Sequence, residues 1–280
     1  MNEDEESKAI ESAKSYYDSS DADTFYYTIW GGEDLHLGIY KTPDEDIFDA
    51  SRRAVERMAS KLTNLDENAK VIDLGAGYGG VARYLARTYG CEVVALNLSE
   101  KENERDRQKN KEQGLDHLIE VVDGSFEELP YPDEHFDCVW SEDSFLHSGN
   151  REKVLQEAVR VLKRGGEFVF TDPMMADDCP EGVLQPILER INLSTMGCPS
   201  FYRETAKKLG LEEIEFEELT EHLINHYSRV HDETERREED LRQQGVSQAY
   251  IDHMKKGLRN WVDGGKKGYL VWGIFHFRKK

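Results

Sequence analysis

The sequence predicts an α/β protein built on a doubly wound, mostly parallel sheet. Three observations predict it: a strand–glycine turn–helix unit over residues 70–80, further apolar runs alternating with helical segments as far as Thr171, and two β-prone stretches, 211–219 and 269–277, separated by a long helical excursion. With 280 residues, 38% of them hydrophobic, the chain is long enough for a sizeable core. It reads as one domain: an N-terminal aromatic cap over 1–45, a ligand-binding core over 46–172, covering insertions with one strand over 173–268, and a last strand over 269–280.

The elements follow in order. Residues 1–8 are polar and expected to fray. Between residues 9 and 40, Tyr16, Tyr17, Phe25, Tyr26, Tyr27, Trp30 and Tyr40 interleave with Asp18, Asp21, Asp23, His36 and Gly31-Gly32. This composition suits a cap folded over a pocket, or aromatics packed onto the core. Thr42-Pro43-Asp44 is expected to open a helix running through Ile47, Phe48, Ala54, Val55, Met58 and Leu62. Val71, Ile72 and Leu74 form the first strand, and Gly75, Gly77, Gly79 and Gly80 turn the chain into a helix over about Val81–Tyr89. A second strand, Cys91–Asn97, precedes Ser99, the N-cap of a charged helix from Glu100 to Gln113.

Strands three and four follow at Ile119–Asp123 and Phe136–Trp140. The helix from Arg151 to Leu162 is expected to close on Lys163-Arg164-Gly165-Gly166, basic residues then glycines, before strand five at Glu167–Thr171. A helix from Ser200 ends at Leu209-Gly210. Residues 211–219 then alternate apolar and acidic side chains as a half-buried strand does, residues 221–261 read as a charged helical lid, and 269–277 as the strand completing an antiparallel edge.

The charge is lopsided, with 57 Asp plus Glu against 36 Lys plus Arg and a net charge of −21. Such a surface repels phosphate backbones and anionic lipid, so neither a nucleic acid nor a membrane is expected as a partner. A carboxylate surplus also keeps a protein hydrated where salt is high; a salt-stressed host and an ordinary acidic cytosolic protein both accommodate it. Cys91, Cys138, Cys179 and Cys198 stand far apart with no metal-ligand spacing, the acidic N-terminus is unlike a targeting peptide, and no apolar run reaches the length of a membrane span. A cytoplasmic location with reduced thiols is expected.

Gly75-Ala-Gly77-Tyr-Gly79-Gly80 satisfies the G-x-G-x-x-G pattern of dinucleotide-binding proteins, and could equally close a tight turn and nothing more. Asp73 before it puts a carboxylate at the strand end, which suits a ligand carrying an amine or hydroxyl and repels a pyrophosphate. Asn97 stands where a dinucleotide enzyme wants an acid. Four strand ends converge on one crevice: Asp73 with Gly75–Gly77, Asn97, Asp123–Phe126, and Ser141-Glu142-Asp143-Ser144-Phe145-Leu146-His147.

In this placement the chain resembles the class I S-adenosyl-L-methionine-dependent methyltransferases over residues 65–172, which implies their Rossmann-like fold. The resemblance implies that Gly75, Ala76 and Gly77 face the amino-acid part of the cofactor, Asn97 and Leu98 the ribose, and Gly124, Ser125 and Phe126 the adenine, with Asp73, Glu142 and Trp30 completing the contacts. The family usually carries an acid at the position of Asn97. Leu96–Glu100, Trp140–His147, Thr171–Met174, Gln185–Leu188, Tyr202-Arg203, His226–Ser228, Trp261–Gly265 and Trp272-Gly273 are similar to the sarcosine/dimethylglycine N-methyltransferases of betaine synthesis. That resemblance implies N-methylation of a small amino acid to glycine betaine, a compatible solute.

Methyl transfer from a sulfonium needs alignment of a nucleophilic nitrogen and exclusion of water. The substrate's carboxylate calls for a cation, here expected to be Arg203, and its crowded nitrogen for aromatic faces, expected from Tyr26, Trp30, Tyr202, Tyr227 and Trp261. His147, just past the fourth strand, is the candidate proton acceptor or orienting group; a reaction without a dedicated base stays open. His36, His222, His226 and His231 lack the spacing of a metal site, and no metal is expected. The alternatives are an N-methyltransferase for another small amine such as phosphoethanolamine, whose phosphate would want a basic crevice, and an NAD-binding oxidoreductase.

Overall fold

The computed structural model describes residues 20–191 and 193–280. Within it the apolar runs form β1 (Lys70–Leu74), β2 (Glu92–Asn97), β3 (Ile119–Asp123), β4 (Phe136–Glu142), β5 (Leu162–Thr171), β6 (Met174–Met175), β7 (Leu211–Glu218), β8 (Leu270–Val271) and β9 (Gly273–Lys279). Seven of these pair in the order β3-β2-β1-β4-β5-β9-β7, and β6 pairs with β8. The first five run parallel, while β9 lies antiparallel between β5 and the outermost strand β7. Strand order reverses between β1 and β4, so their carboxyl ends open the crevice that such sheets use for ligands.

The strands in the middle of the sheet, β1, β4 and β5, are largely apolar because helices cover both faces. Ile72, Leu74, Val139, Phe168, Phe170, Phe275 and Phe277 fill one side, and Val71, Val93, Ala95, Trp140, Val169 and Ile274 the other. Phe170 stacks on Phe275 with ring centroids 5.1 Å apart, joining the parallel part of the sheet to its antiparallel side.

Helices α1 (Ser20–Trp30), α2 (Ile47–Ala59), α3 (Gly80–Tyr89), α4 (Glu100–Glu112) and α5 (Arg151–Val161) are followed by α6 (Gln185–Arg190), α7 (Pro199–Lys208), α8 (Thr220–Arg236), α9 (Glu238–Gln243) and α10 (Gln248–Lys266). The first of two departures from the expected boundaries is that α2 starts at Ile47, because Asp46 is its N-cap and accepts from the Phe48 N–H at 2.9 Å. The second is at Lys163–Gly166, which do not cap α5. They bulge at the start of β5 opposite Asp137, where Lys163 Nζ meets both carboxylate oxygens at 2.8 Å and Gly165 takes φ 76°.

The helical excursion divides into α8, α9 and α10, and its inner face meets the cap. Phe25, Ile29 and Trp30 of α1 pack with Val230, Leu241, Val246, Ile251, Met254 and Leu258. Cap residues Tyr16, Tyr17 and Asp18, and the polar first eight residues, lie outside the described residues. All four cysteines are free thiols, Cys91 and Cys138 buried. Among the described residues no helix is long and apolar enough to cross a membrane.

Glu167, 1% exposed at the start of β5's regular part, is ringed by donors: Thr63 N at 2.8 Å, Thr63 Oγ1 at 3.0 Å, His276 Nε2 at 3.0 Å and Arg278 at 3.2 Å. Burial alone would raise its pKa, but the bonds from His276, Thr63 and Arg278 together bring it to about 2, against an ordinary 4.5. The folded protein therefore binds fewer protons here, and the stabilisation, about 3 kcal/mol, is present above pH 4.5 and lost as pH falls towards 2. Urea unfolding of Glu167→Gln should show that loss near neutrality and a shallower decline of stability between those two pH values.

Candidate active site

The turn after β1 is drawn onto β2 by two bonds, Gly75 N to Leu96 O at 2.8 Å and Ala76 N to the same oxygen at 3.1 Å. Gly75 has φ +84°, and a Cβ there would sit 2.3 Å from Ser144 Oγ. Gly77, φ +54°, is different: a Cβ would find its nearest neighbour, Leu35 Cδ1, 3.9 Å away. It borders open space, a cavity of about 1110 Å³ counted out to its mouth. Asp73, Gly75, Ala76, Gly77, Asn97, Leu98, Gly124, Ser125, Phe126, Glu142 and His147 all line it, so the strand ends converge as the sequence implies.

The floor of this cavity is acidic. Asp73 is 2% exposed, its Oδ2 has no hydrogen-bond partner, and burial together with the nearby Glu142 raises its pKa well above the ordinary value. The acid missing at Asn97 is supplied from α4: Glu102, also on the wall, accepts from Asn97 Nδ2 at 2.8 Å. Its backbone N–H donates to Ser99 Oγ at 3.2 Å, the S-x-x-E arrangement that starts a helix. That spacing is the signal by which the sequence could have shown Glu102. Beside Phe126, the buried Glu127 accepts from Ser148 Oγ at 2.5 Å through Oε1, while its Oε2 has no partner.

A strap, residues 31–40, crosses the mouth. Arg83, 1% exposed, holds Glu33 at 2.7 Å and Asp106 at 2.5 Å, and Arg52 holds Asp34 at 2.7 Å. His36 Nδ1 meets Glu142 Oε2 at 2.9 Å, and Trp140 Nε1 donates to Glu142 Oε1 at 3.0 Å. Burial would lower the pKa of His36, but Glu142, Asp34 and Asp143 outweigh it and raise it to about 10, so the ring is an imidazolium at neutral pH. The Leu37 N–H donates to Asp143 Oδ2 at 2.7 Å and Trp272 Nε1 to Oδ1 at 2.8 Å. These bonds hold Asp143 at φ 51°, a left-handed conformation costly for a residue with a Cβ. His226, fully buried, accepts through Nδ1 from the Gly38 N–H at 3.1 Å and the Tyr40 hydroxyl at 3.0 Å.

A second cavity, about 550 Å³ counted out into solvent at its mouth, shares Tyr26, Leu35, Asp143 and His147 with the first. Its walls carry Tyr26, Trp30, Tyr227 and Trp261, with Arg190 and the apolar Leu37, Leu146, Ile191 and Leu258. Tyr227 stacks on Trp261 at 4.7 Å and Tyr26 leans on Trp30 at 5.0 Å. His147 stands at the junction. Burial, then Arg151 and Arg190, lower its pKa to about 4, so its ring is neutral at physiological pH.

Three expected site residues are placed elsewhere. Trp30 lines the aromatic cavity and not the larger one. Tyr202 is fully buried beneath Phe170 and Phe275, its hydroxyl donating to Asp172 Oδ2 at 2.6 Å, and lines neither cavity. Arg203 points to the outer surface, paired with Glu213 at 3.0 Å and lying 4.8 Å over the Phe216 ring. The two are adjacent in sequence, and one helical step turns one into the core and the other outward. Of the histidines weighed for a metal, His222 accepts from the Tyr40 N–H and His231 from Arg259. Among the described residues no group of three potential ligands could hold a metal ion.

Residues 72–170 match the family model of a methyltransferase domain. The chain is 65% identical to a sarcosine/dimethylglycine N-methyltransferase of Halorhodospira halochloris over 97% of both chains. It is 48% identical to a dimethylglycine N-methyltransferase of Parasynechococcus marenigrum over 95% of both. Among solved structures, a candidate sarcosine dimethylglycine methyltransferase from Galdieria sulphuraria superposes with a TM-score of 0.89 at 42% identity, covering 95% of this chain and 99% of that one.

The opposite charge states of the two histidines can be read directly. In an NMR titration the His36 ring should stay protonated up to about pH 10, and His147 should stay neutral down to about pH 4. In Glu142→Gln the His36 transition should move down, because burial is then opposed only by Asp34 and Asp143.

Proposed function

The chain belongs to the sarcosine/dimethylglycine N-methyltransferases, and from that premise we propose that it methylates sarcosine and dimethylglycine to glycine betaine, in the cytoplasm, with S-adenosyl-L-methionine as donor. The observation that carries this reading is the meeting of an acid-floored, glycine-lipped cavity with an aromatic one at His147 and Asp143.

The larger cavity fits the donor. Asp73 Oδ2, buried and without a partner, suits an α-ammonium; Asn97 backed by Glu102 can accept from ribose hydroxyls; Gly77 leaves backbone bare where a Cβ would protrude. Phe126 offers a ring face and Glu127 Oε2 an acceptor on the side assigned to adenine. When bound, the cofactor supplies a methyl group already activated by its positive sulfur.

The protein's own part is placement. Tyr26, Trp30, Tyr227 and Trp261 present π faces to a nitrogen that gains methyl groups and positive charge, a contribution of about 0.5–2 kcal/mol for each well-placed ring. A neutral His147 can accept the N–H of an incoming ammonium, which an imidazolium would repel. The strap keeps water from the junction, as transfer to an amine requires. Phosphoethanolamine is a poorer match, since among the described residues the aromatic cavity offers a dianion Arg190 and no lysine.

Purified protein should methylate sarcosine and dimethylglycine and leave phosphoethanolamine untouched; absence of turnover with both glycines would refute the substrate assignment. Asp73→Asn should weaken S-adenosylhomocysteine about 10- to 100-fold in calorimetry, the loss of one buried charge-assisted hydrogen bond.

A further inference from the structure

The substrate's nitrogen has aromatic walls and a neutral acceptor, but the residue expected to hold its carboxylate, Arg203, lies outside. We propose that Arg190 and the indole N–H of Trp261 form the carboxylate dock, which makes the aromatic cavity selective for zwitterionic N-methylated glycines over amines of similar bulk. The proposal deepens the methyltransferase reading and rests on it.

Arg190 ends α6 and is 9% exposed, an unusual degree of burial for an arginine. Its stem lies against α10 at Gly257. A Cβ on that glycine would fall 2.0 Å from Arg190 Cδ and 2.4 Å from Nε, so the missing side chain is what lets the arginine pass. Its Nη2 lies 3.3 Å from Met254 Sδ on the same helix. The stem is thus held by packing, with little rotamer entropy left to lose when an anion binds.

Trp261 stands one helical turn beyond Gly257, on the same face of α10. It is 1% exposed, and Nε1 has no hydrogen-bond partner. A buried donor left unsatisfied costs about 1–3 kcal/mol, which an oxygen arriving with the ligand would recover. Tyr227 stacked on the indole fixes its plane. Among the described residues of the cavity wall Arg190 is the only arginine or lysine, and the one carboxylate, Asp143, is engaged by Leu37 and Trp272 on the side shared with the larger cavity. The wall therefore offers donors for a carboxylate and π faces for a methylated nitrogen within a space suited to a molecule of a few heavy atoms. Dimethylaminoethanol, with the same nitrogen but no carboxylate, has nothing to give the dock.

Steady-state kinetics and calorimetry on the full chain test this. In R190M the KM for dimethylglycine should rise about 100-fold while the affinity for S-adenosylhomocysteine stays within about threefold, and the preference for dimethylglycine over dimethylaminoethanol should collapse. G257A keeps the guanidinium but displaces it, and should raise KM by about tenfold or more. Trp261→Phe keeps an aromatic ring facing Tyr227 but removes the N–H together with part of the indole, and should raise KM about tenfold or more. Wild-type turnover with an unchanged KM in both R190M and G257A would overturn the dock and leave the methyltransferase reading intact. If instead wild-type protein binds dimethylglycine in an Arg190-dependent way without methyl transfer, the dock stands and the reaction assignment falls.

Discussion

Carboxylates gathered at the ends of β1 and β4 set the constraint that the rest of the molecule answers. Asp73, Glu142 and Asp143 are placed there by strand register, with Asp34 brought alongside, in a region too dry to screen their repulsion. The answer comes from outside the sheet. His36 is kept protonated against Glu142, Arg52 faces Asp34, and Arg83 binds Glu33 and Asp106 below the mouth. The contacts of Glu33, Asp34 and His36 also pin the strap, so neutralising the floor and covering it are one arrangement. Breaking a single member would leave a buried charge alone, the expensive case for any ion pair.

The strap in turn creates the second cavity. Leu35 and Leu37 face it, Asp143 is fixed by the Leu37 N–H, and α1 presses Trp30 against the inner face of α8 and α10. His226 belongs to this assembly: with its pKa held near 3 by burial, its neutral ring accepts from Gly38 and Tyr40 and ties the strap to the lid. Most of the aromatic cavity's wall thus comes from the cap, the strap and the later helices, outside the strand–turn–helix unit at β1. Folds of this class keep the cofactor site on the sheet and build specificity from what is laid over it.

What the sequence disclosed follows the range of the forces involved. Strand periodicity, glycines with positive φ and caps are local, so β1 to β5, the turn at Gly75–Gly77 and the wall residues Asn97, Gly124 and Phe126 could all be read from short windows. The pattern Lys163-Arg164-Gly165-Gly166 suits a helix end and a bulge equally, and pairing with Asp137 on another strand decides it. Arg190 was invisible for a related reason. Its place depends on a glycine on α10, far along the chain, whereas Arg203 follows Tyr202 in one helix and faces out where the tyrosine faces the core. Glu102, by contrast, carries a local signal in the S-x-x-E spacing from Ser99.

The outermost strand β7 carries Glu212, Glu213, Glu215, Glu217 and Glu218, and its register slips between Glu213 and Glu215. An open edge invites another sheet to zip onto it, and charged side chains along the strand, here partly paired with Arg57, Lys61 and Arg203, are one deterrent. That deterrent fades as ionic strength rises, since mobile ions shorten the reach of exposed charges. The slip does not fade, because a bulge spoils hydrogen-bond register by shape alone. At this edge the chain therefore carries a guard against sheet-to-sheet pairing that added salt does not weaken.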